Sequence, residues 1–380
     1  MKIDKRNWEK VKFGDVCSLV NENTKNAKED GLEYNIGLEH ITPTDLHIRS
    51  WNTTDIDTTF TRIFRKGQVL FGRRRAYQRK VAYAEFDGIC SGDIMVFQAK
   101  EDKLLPKLLP FIVQSDGFFQ QAVDTSAGSL SPRTKFTDLA NYEFLLPPKE
   151  EQSRLAELLW AADEVVEREE VVVEKFNAFL ENSIDNHFNS NCSKLMKLGN
   201  LCLKTPDYGA NLPATDYVDG DYRYIRITDI KENGNLLDEG RKTVDSNNIG
   251  KYILNEDDIL IARTAVPGKS FIYKHHMGKC IFAGYLIRFQ LDKKIVNPQY
   301  VYCYTQSGSF KRWIKKTIKT GTVSNINAKE YSSLNIPVPT LEVQNNIVSF
   351  FGELVDKRQR LEDRVVLSQQ LKSSLINQIF

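Results

Sequence analysis

The sequence predicts a mixed α/β (α+β) chain built as two tandem copies, each a globular segment followed by a long helix. Three observations carry that expectation. Short motifs recur at a nearly constant spacing, close to half of the 380 residues. Short β-rich runs bounded by turn residues fill the first part of each copy. A 3–4 alternation of apolar residues, the stripe of a helix that buries one face, fills the second part.

The repeat comes first because it sets the frame. Val69-Leu-Phe-Gly-Arg73 matches Ile259-Leu-Ile-Ala-Arg263, and Ile36-Gly-Leu-Glu-His-Ile41 matches Ile225-Arg-Ile-Thr-Asp-Ile230. Phe97-Gln98 matches Phe289-Gln290, and Ser115-Asp-Gly-Phe-Phe119 matches Ser307-Gly-Ser-Phe310 with one gap. Pro147, Glu150 and Gln152 match Pro339, Glu342 and Gln344, and every offset lies between 189 and 192. This divides the chain into a first globular domain (1–146), a central helix (147–189), a second globular domain (190–336) and a last helix (337–380).

In the globular domains, Lys66–Phe71, Lys80–Phe86 and Ile94–Gln98 read as strands, as do Asp258–Ala262, Ser270–Tyr273 and Tyr285–Gln290. Each set is followed by a predicted helix, Leu104–Asp124 and Pro298–Lys319. The long helices begin in a proline-and-acid signature, Leu146-Pro-Pro-Lys-Glu-Glu-Gln152 and its echo Ile336-Pro-Val-Pro-Thr-Leu-Glu-Val-Gln344. Proline suits a first turn because its missing N–H would have no partner there, and acids suit the positive end of the helix dipole.

The first stripe runs through Leu155, Leu158/Leu159, Ala162, Val165/Val166, Val172/Val173, Phe176, Phe179/Leu180, Ile184 and Phe188. The second runs through Ile347, Phe350/Phe351, Leu354, Leu361, Val365, Leu371, Leu375 and Ile379. Roughly 37 residues make a helix of about 55 Å, longer than a small domain can cover. The economical partner for each stripe is the other, as a coiled coil. The expected interface is Leu155, Leu159, Ala162, Val166, Val173, Phe176 and Leu180 against Ile347, Phe351, Leu354, Leu361, Val365 and Leu375.

Composition narrows the function. The formal net charge is +2, from 52 basic and 50 acidic side chains, so only local clustering can indicate nucleic acid. Six cysteines without a CxxC pair argue against a zinc ribbon or a disulfide framework. The opening MKIDKRNWEKVKF has no apolar core for a signal peptide, and no run approaches the ~20 apolar residues of a membrane span. A cytoplasmic protein without membrane contact is expected.

The charge clusters sharply in one place. From Arg62 to Lys80 there is no acid, while Arg62, Arg65, Lys66, Arg73, Arg74, Arg75, Arg79 and Lys80 are interleaved with Phe64, Phe71 and Tyr77. Arginine can fork onto guanine edges, and either base can hold a phosphate. The second copy is acid-free from Ile259 to Leu291, with Arg263, Lys269, Lys274, His275, His276, Lys279 and Arg288. Lys311, Arg312, Lys315, Lys316 and Lys319 follow. We expect DNA contact from Arg62, Arg65, Lys66, Arg73, Arg74, Arg75, Tyr77, Arg79 and Lys80, and from Arg263, Lys269, Lys274, His275 and Lys279.

Enzyme signatures are thin, and no catalytic or metal-binding residue is expected. Asn297-Pro-Gln-Tyr300 lacks the second proline of an amino-methyltransferase loop, Asp93 with Glu101-Asp-Lys103 has a nuclease-like spacing common by chance, and His275-His276 with Cys280 has no second ligand pair. There is no Walker A loop and no G-x-S-x-G elbow.

Taken together, the two-copy layout, Gly67-Gln-Val-Leu-Phe-Gly-Arg-Arg-Arg-Ala-Tyr-Gln-Arg-Lys80, Phe86-Asp-Gly-Ile-Cys-Ser-Gly-Asp-Ile94 and the two proline-led helix starts resemble the specificity subunit of type I restriction-modification systems. The resemblance covers essentially the whole chain. It implies two target-recognition domains, each reading half of a bipartite double-stranded DNA site, and two helical spacers packed antiparallel in a pseudo-twofold arrangement. It implies two methyltransferase subunits and two restriction subunits as partners. S-adenosylmethionine, ATP and magnesium would then sit on those partners, with no cofactor on this chain. The second copy departs from the first where Arg74 and Arg75 align with Thr264 and Ala265, which leaves its base-reading residues open. The competing readings are a stand-alone DNA methyltransferase or nuclease, and a coiled-coil scaffold with no role on DNA.

Overall fold

A computed structural model of the chain describes residues 4–55, 58–190, 194–231, 234–245, 248–318 and 325–380. They form two compact units, residues 1–170 with 363–380, and residues 171–362. The division falls inside both long helices, Lys149–Ser190 and Leu341–Ile379. These run 42 and 39 residues, a little longer than their apolar stripes. Among the described residues no helix is long and apolar enough to cross a membrane.

In the first unit an antiparallel sheet takes the order Cys17–Val20, Ile94–Ala99, Val69–Gly72, Val81–Tyr83. A second sheet holds Asn52–Thr53, Tyr34–Ile36, Gly88–Cys90 and Arg62–Phe64, with Tyr34–Ile36 and Gly88–Cys90 parallel. The second unit repeats the plan with Asp207–Tyr208, Leu286–Phe289, Ile259–Ala262 and Ser270–Ile272, and with the parallel pair Arg223–Ile225 and Cys280–Phe282. Every predicted strand is present, five of them in shorter form where turn residues end them early, while Ile94–Ala99 runs one residue past its expected end. In the first core Phe13, Phe71, Phe97 and Phe118 are fully buried and meet edge to face or stacked at 4.7–5.7 Å between Phe13–Phe118, Phe13–Phe97 and Phe71–Phe97. Each contributes roughly 1.5–3 kcal/mol of burial.

The two predicted helices that follow the strands are each broken once. Leu109–Gln114 stops at Ser115, whose hydroxyl accepts from the Phe118 N–H to cap Asp116–Asp124. Pro298–Thr305 ends before Ser307, which accepts from the Phe310 N–H to cap Gly308–Thr317. A serine in extended backbone satisfies an orphan donor of the next helix, and so restarts the chain in a new direction. Phe118 and Phe310 thereby take equivalent places without a gap. Lys319 lies outside the described residues.

Each long helix starts on a strand that closes its own domain. Glu143–Leu146 pairs antiparallel with Glu9–Lys12, and Asn335–Val338 pairs with Lys194–Lys197. One turn into the helix a glutamine is fully buried. Gln152 Oε1 accepts from the Leu105 N–H at 2.8 Å, while its amide donates to Lys103 and Pro147 carbonyls. Gln344 repeats this with the Asn297 N–H and the Ile295 and Pro339 carbonyls.

Within each unit the helical stretches run antiparallel. In the first, Glu169 meets Arg364 at 2.6 Å, Asp163 meets Lys372 at 2.8 Å, and Leu155, Ala156 and Leu159 share a core with Ile376 and Ile379. In the second, Lys357 lies over the Phe176 ring, His187 packs on Phe350 and Phe351, and Leu180, Ile184 and Phe188 share a core with Ile347 and Phe351. These cores include residues of the globular domain, so the stripes are covered by domain and partner helix together, rather than by the partner alone. Leu155, Leu159, Val166, Leu180, Ile347 and Phe351 are buried, whereas Ala162, Val173, Phe176, Leu354, Leu361, Val365 and Leu375 are half-buried. Leu371, expected in the stripe, is 61% exposed. The inward position beside it belongs to Lys372, which a search for apolar residues passes over.

Candidate nucleic-acid interface

In the first unit the basic segment is a hairpin between Val69–Gly72 and Val81–Tyr83, closed by the Gly72 N–H on the Lys80 carbonyl. Gly72 sits at a close approach: a Cβ there would stand 3.0 Å from Leu38 and 3.2 Å from Lys80, so both side chains would have to yield. Arg75 and Arg79 are both left-handed, each with φ of 55°, and flank a single turn at Ala76–Gln78. Such a conformation is uncommon for a residue with a Cβ and persists only where surroundings enforce it. For Arg79 the enforcement is visible. Its guanidinium donates to the Gln114 carbonyl and to Asp116, at 3.1 and 2.6 Å, and stacks on Phe119.

This geometry sorts the predicted residues. Arg62, Arg73, Arg74 and Arg75 come together and are joined by Arg133, whose segment bridges back to Arg74. Arg62 also donates to the Ile94 carbonyl. The acid Asp93 accepts from Arg133 at 2.8 Å and from Arg74 at 3.3 Å. Burial would raise its carboxyl, but the two arginines prevail and hold it below the usual range. Arg73 has no salt bridge among the described residues; burial and the neighbouring charges of Arg62 and Arg133 hold its guanidinium below the ordinary arginine value. The buried Nε of Arg62, Arg73, Arg74 and Arg75 has no hydrogen-bond partner among the described residues. Tyr77 stands 59% exposed at the hairpin tip. Lys80 is a tie, donating to the Leu38 carbonyl at 2.5 Å. Arg65 and Lys66 precede Val69–Gly72 and so lie a strand's length, roughly 10–13 Å, from Arg73. There Arg65 bridges Glu22 and Asp87, and Asp87 accepts from the Lys66 N–H.

In the second unit the matching hairpin is one residue shorter, closing by the Ala262 N–H on the Lys269 carbonyl. Ala265 is left-handed with φ of 61°, and Gly268, with φ of 91°, stands where Arg79 stands in the first. Arg263 Nε donates to Asn325 Oδ1 at 3.1 Å, with its guanidinium over Tyr208. Lys269 reaches the Ile227 carbonyl, as Lys80 reaches Leu38. Arg263, Thr264, Tyr285 and Asn325 line an open cleft of about 1220 Å³ with Asn211 and Thr228. Lys274, His275 and Lys279 lie beyond the far end of Ser270–Ile272. Lys274 pairs with Asp257 at 2.5 Å, the His275 N–H bonds Glu256, and Lys279 lies over Tyr222.

The enzyme-like fragments have structural partners. Asn297 caps the helix at Pro298, His275 is exposed beside Glu256, and Cys280 is buried in a strand. His47, Asp163 and Glu167 form the one group of three metal-ligand-type side chains found among the described residues. Asp163 there already pairs with Lys372, and Glu167 with Arg49 at 2.7 Å.

A family model described as the type I restriction modification DNA specificity domain matches the chain twice, over residues 5–174 and 193–365. The chain belongs to that family. Among related specificity-domain proteins, it is 25% identical over 147 residues to the type I restriction enzyme StySPI specificity subunit of Salmonella potsdam, a match covering 37% of this chain and 32% of that one. It is 26% identical over 175 residues to the EcoDI specificity subunit of Escherichia coli, covering 43% and 37%. The matched segments thus span about a third of the relatives' lengths. In fold it is similar to a chain solved in work on complex assembly and conformational transition of the type I R-M system, with a TM-score of 0.63 and 18% identity over 100% of this chain and 98% of that one. It is also similar to the type I restriction-modification S subunit of M. genitalium, with a TM-score of 0.53 and 15% identity over 100% and 98%.

Two members of this specificity-domain surface escaped sequence reasoning. Arg133 lies far along the chain in Ser131-Pro-Arg-Thr-Lys135, outside the dense basic run. The repeat offset that pairs it with Asn325 was the available signal. Asp93 carried only a weak nuclease reading, whereas its partners are the arginines.

Proposed function

We propose that this chain is the DNA sequence-recognition subunit of a type I restriction-modification complex, each unit reading one half of a bipartite site. The paired helices set the unread gap and dock two methyltransferase subunits, and two restriction subunits complete the cytoplasmic assembly. The chain itself performs no catalysis; S-adenosylmethionine, ATP and magnesium belong to the partners.

One observation carries this reading. The same hairpin, with the same left-handed residue and the same bridge to a distant segment, is presented twice with different side chains, Arg74 against Arg133 and Thr264 against Asn325. A catalytic duplication would keep its chemistry at equivalent positions. A reader of two different half-sites changes chemistry and keeps the frame. Basic side chains outside this frame add phosphate neutralisation, which makes binding fall steeply with salt, and the arginines on it add guanine readout.

Sequencing methylated adenines in a host with and without this gene tests the reading. A bipartite motif that vanishes with the gene supports it. Methylation or cleavage by the purified chain alone would favour a stand-alone enzyme, and salt-insensitive behaviour of the assembled complex toward DNA would favour a scaffold. Inserting four residues near Lys175 should change the gap between the half-sites; an unchanged gap would remove the helices from that role.

A further inference from the structure

Five positions coincide between the units in order, four of them in backbone hydrogen bonding and the fifth in backbone conformation. The Arg73 N–H bonds the Asp93 carbonyl and the Arg263 N–H bonds the Tyr285 carbonyl, at 2.9 and 3.0 Å. The Thr134 N–H bonds the Arg73 carbonyl and the Ile326 N–H bonds the Arg263 carbonyl, at 3.1 and 2.8 Å. Arg74 bridges Arg133, and Thr264 bridges Asn325. Arg75 and Ala265 share the left-handed conformation. The frame is therefore one frame, and the side chains on it are Arg, Arg, Arg, Asp and Arg in the first unit against Arg, Thr, Ala, Tyr and Asn in the second.

We infer, resting on the DNA-recognition reading above, that these five positions determine sequence specificity, and that the first unit's set reads a half-site containing guanine. Asp93 separates a base-reading site from a phosphate site. A carboxylate among the arginines repels a phosphate, whereas guanine presents neutral acceptors, O6 and N7, to a guanidinium fork. Asp93 also holds two of the forks, Arg133 and Arg74, and so reduces the ordering they must undergo on binding. Arg73 and Arg75 carry no carboxylate partner among the described residues, and their buried Nε donors are unmet. At these five positions of the second unit one guanidinium remains, tied to Asn325 and backed by Tyr208, while Arg226 in the same cleft is held by Asp229. Its half-site is read mostly by amide, hydroxyl and phenol groups.

The test uses the full chain with its methyltransferase partner in a host lacking the system, and reads the methylated-adenine motif. Arg75→Lys and Arg133→Lys keep the charge and remove the fork. Each should relax a guanine in one half of the motif, lowering discrimination roughly 10-fold or more, with the other half unchanged. The triple change Arg74→Thr, Arg75→Ala, Arg133→Asn should abolish the guanine requirement in that half, and Asn325→Arg should alter the opposite half. A motif that keeps every base while methylation weakens would make these arginines phosphate contacts and overturn the inference. So would an unchanged motif at unchanged efficiency. If the triple variant does not fold, the two lysine variants decide. Absence of any bipartite motif with the unaltered chain would instead overturn the recognition reading itself.

Discussion

The two units hold their domains to the helices by the same polar hooks, yet among the described residues the first adds a buried charged clasp that the second does not show. Gln152 and Gln344 tie each helix start to the entry of the domain's own helix pair. Asn377 bonds the Asp116 N–H at 2.8 Å, and Asp185 bonds the Ser309 N–H at 3.0 Å, so each unit also receives the end of a long helix at a helix N-terminus. In the first unit, His47 sits 2.9 Å from Asp163, 3.2 Å from Glu167 and 3.2 Å from Glu85, with Lys372 on the other oxygen of Asp163. The repeat that pairs Gln152 with Gln344 sets Val355, Gln359 and Leu180 at the places of Asp163, Glu167 and Lys372. The hooks therefore belong to the plan the two copies share, and the clasp to the first copy.

Breaking the clasp should have the largest effect. Asp163→Ala leaves the buried Lys372 ammonium without a carboxylate and should destabilise the first unit by about 3–5 kcal/mol, whereas Lys372→Ala leaves Asp163 its bond to His47 and should cost less. Hydrogen exchange read by mass spectrometry should show lost protection in residues 1–170 and little change in the second domain. Asp163→Val with Lys372→Leu copies the second unit and should cost less than either single change. A double variant as damaged as the singles would make the charged pair indispensable.

Next come the glutamines. Gln152→Ala and Gln344→Ala each leave buried backbone groups unsatisfied and should cost about 1–3 kcal/mol. Near-equal losses of urea-unfolding stability are expected, and a marked inequality would break the equivalence of the hooks. Asn377→Ala and Asp185→Ala should each cost about 0.5–2 kcal/mol, the range for losing a helix cap. The same unfolding measurements would sharpen the comparison, since Asp185 also pairs with Arg312 and its loss should be the greater.

The smallest effect is a pH dependence confined to the first unit. The hydrogen bond to Asp163 raises His47 above its ordinary 6.5 despite burial, so folding favours the charged imidazole. That contribution is complete below about pH 6.5 and is lost as pH rises through the raised value. Burial pushes the Asp163 carboxyl up, but His47 and Lys372 prevail and depress it, so its contribution is lost only as pH falls through the depressed value. Unfolding midpoints should fall as pH rises from about 6.5 through the raised His47 value in the natural chain and stay level in His47→Gln. A parallel fall in both would remove His47 as the cause.

How much of this was legible depended on whether a feature is periodic or paired. The duplication, the strands and the helix starts follow from patterns along the chain, and each was readable. The break at Ser115 was passed over because the apolar pattern continues across it, from Phe111–Val113 to Phe118–Phe119, although Ser-Asp-Gly is itself poor helix interior. Asp163 and Lys372 were unreadable for the opposite reason: each looks like an exposed charge until the other is set beside it from 209 residues away. In the basic run, density alone could not separate Arg73, which has no salt bridge, from Arg79, which is committed to Gln114, Asp116 and Phe119.

The makeup of the first unit has a consequence in time. Residues 363–380 leave the ribosome after all of the second unit, yet they supply Lys372, Ile376, Asn377 and Ile379 to the first. At ordinary rates of synthesis the delay is on the order of 10–40 s. During it Asp163 has no lysine, and Leu155 and Leu159 lack part of their cover. The domain translated first is therefore the last to be finished, and the nascent chain must keep a half-built face from sticking until its final turns arrive.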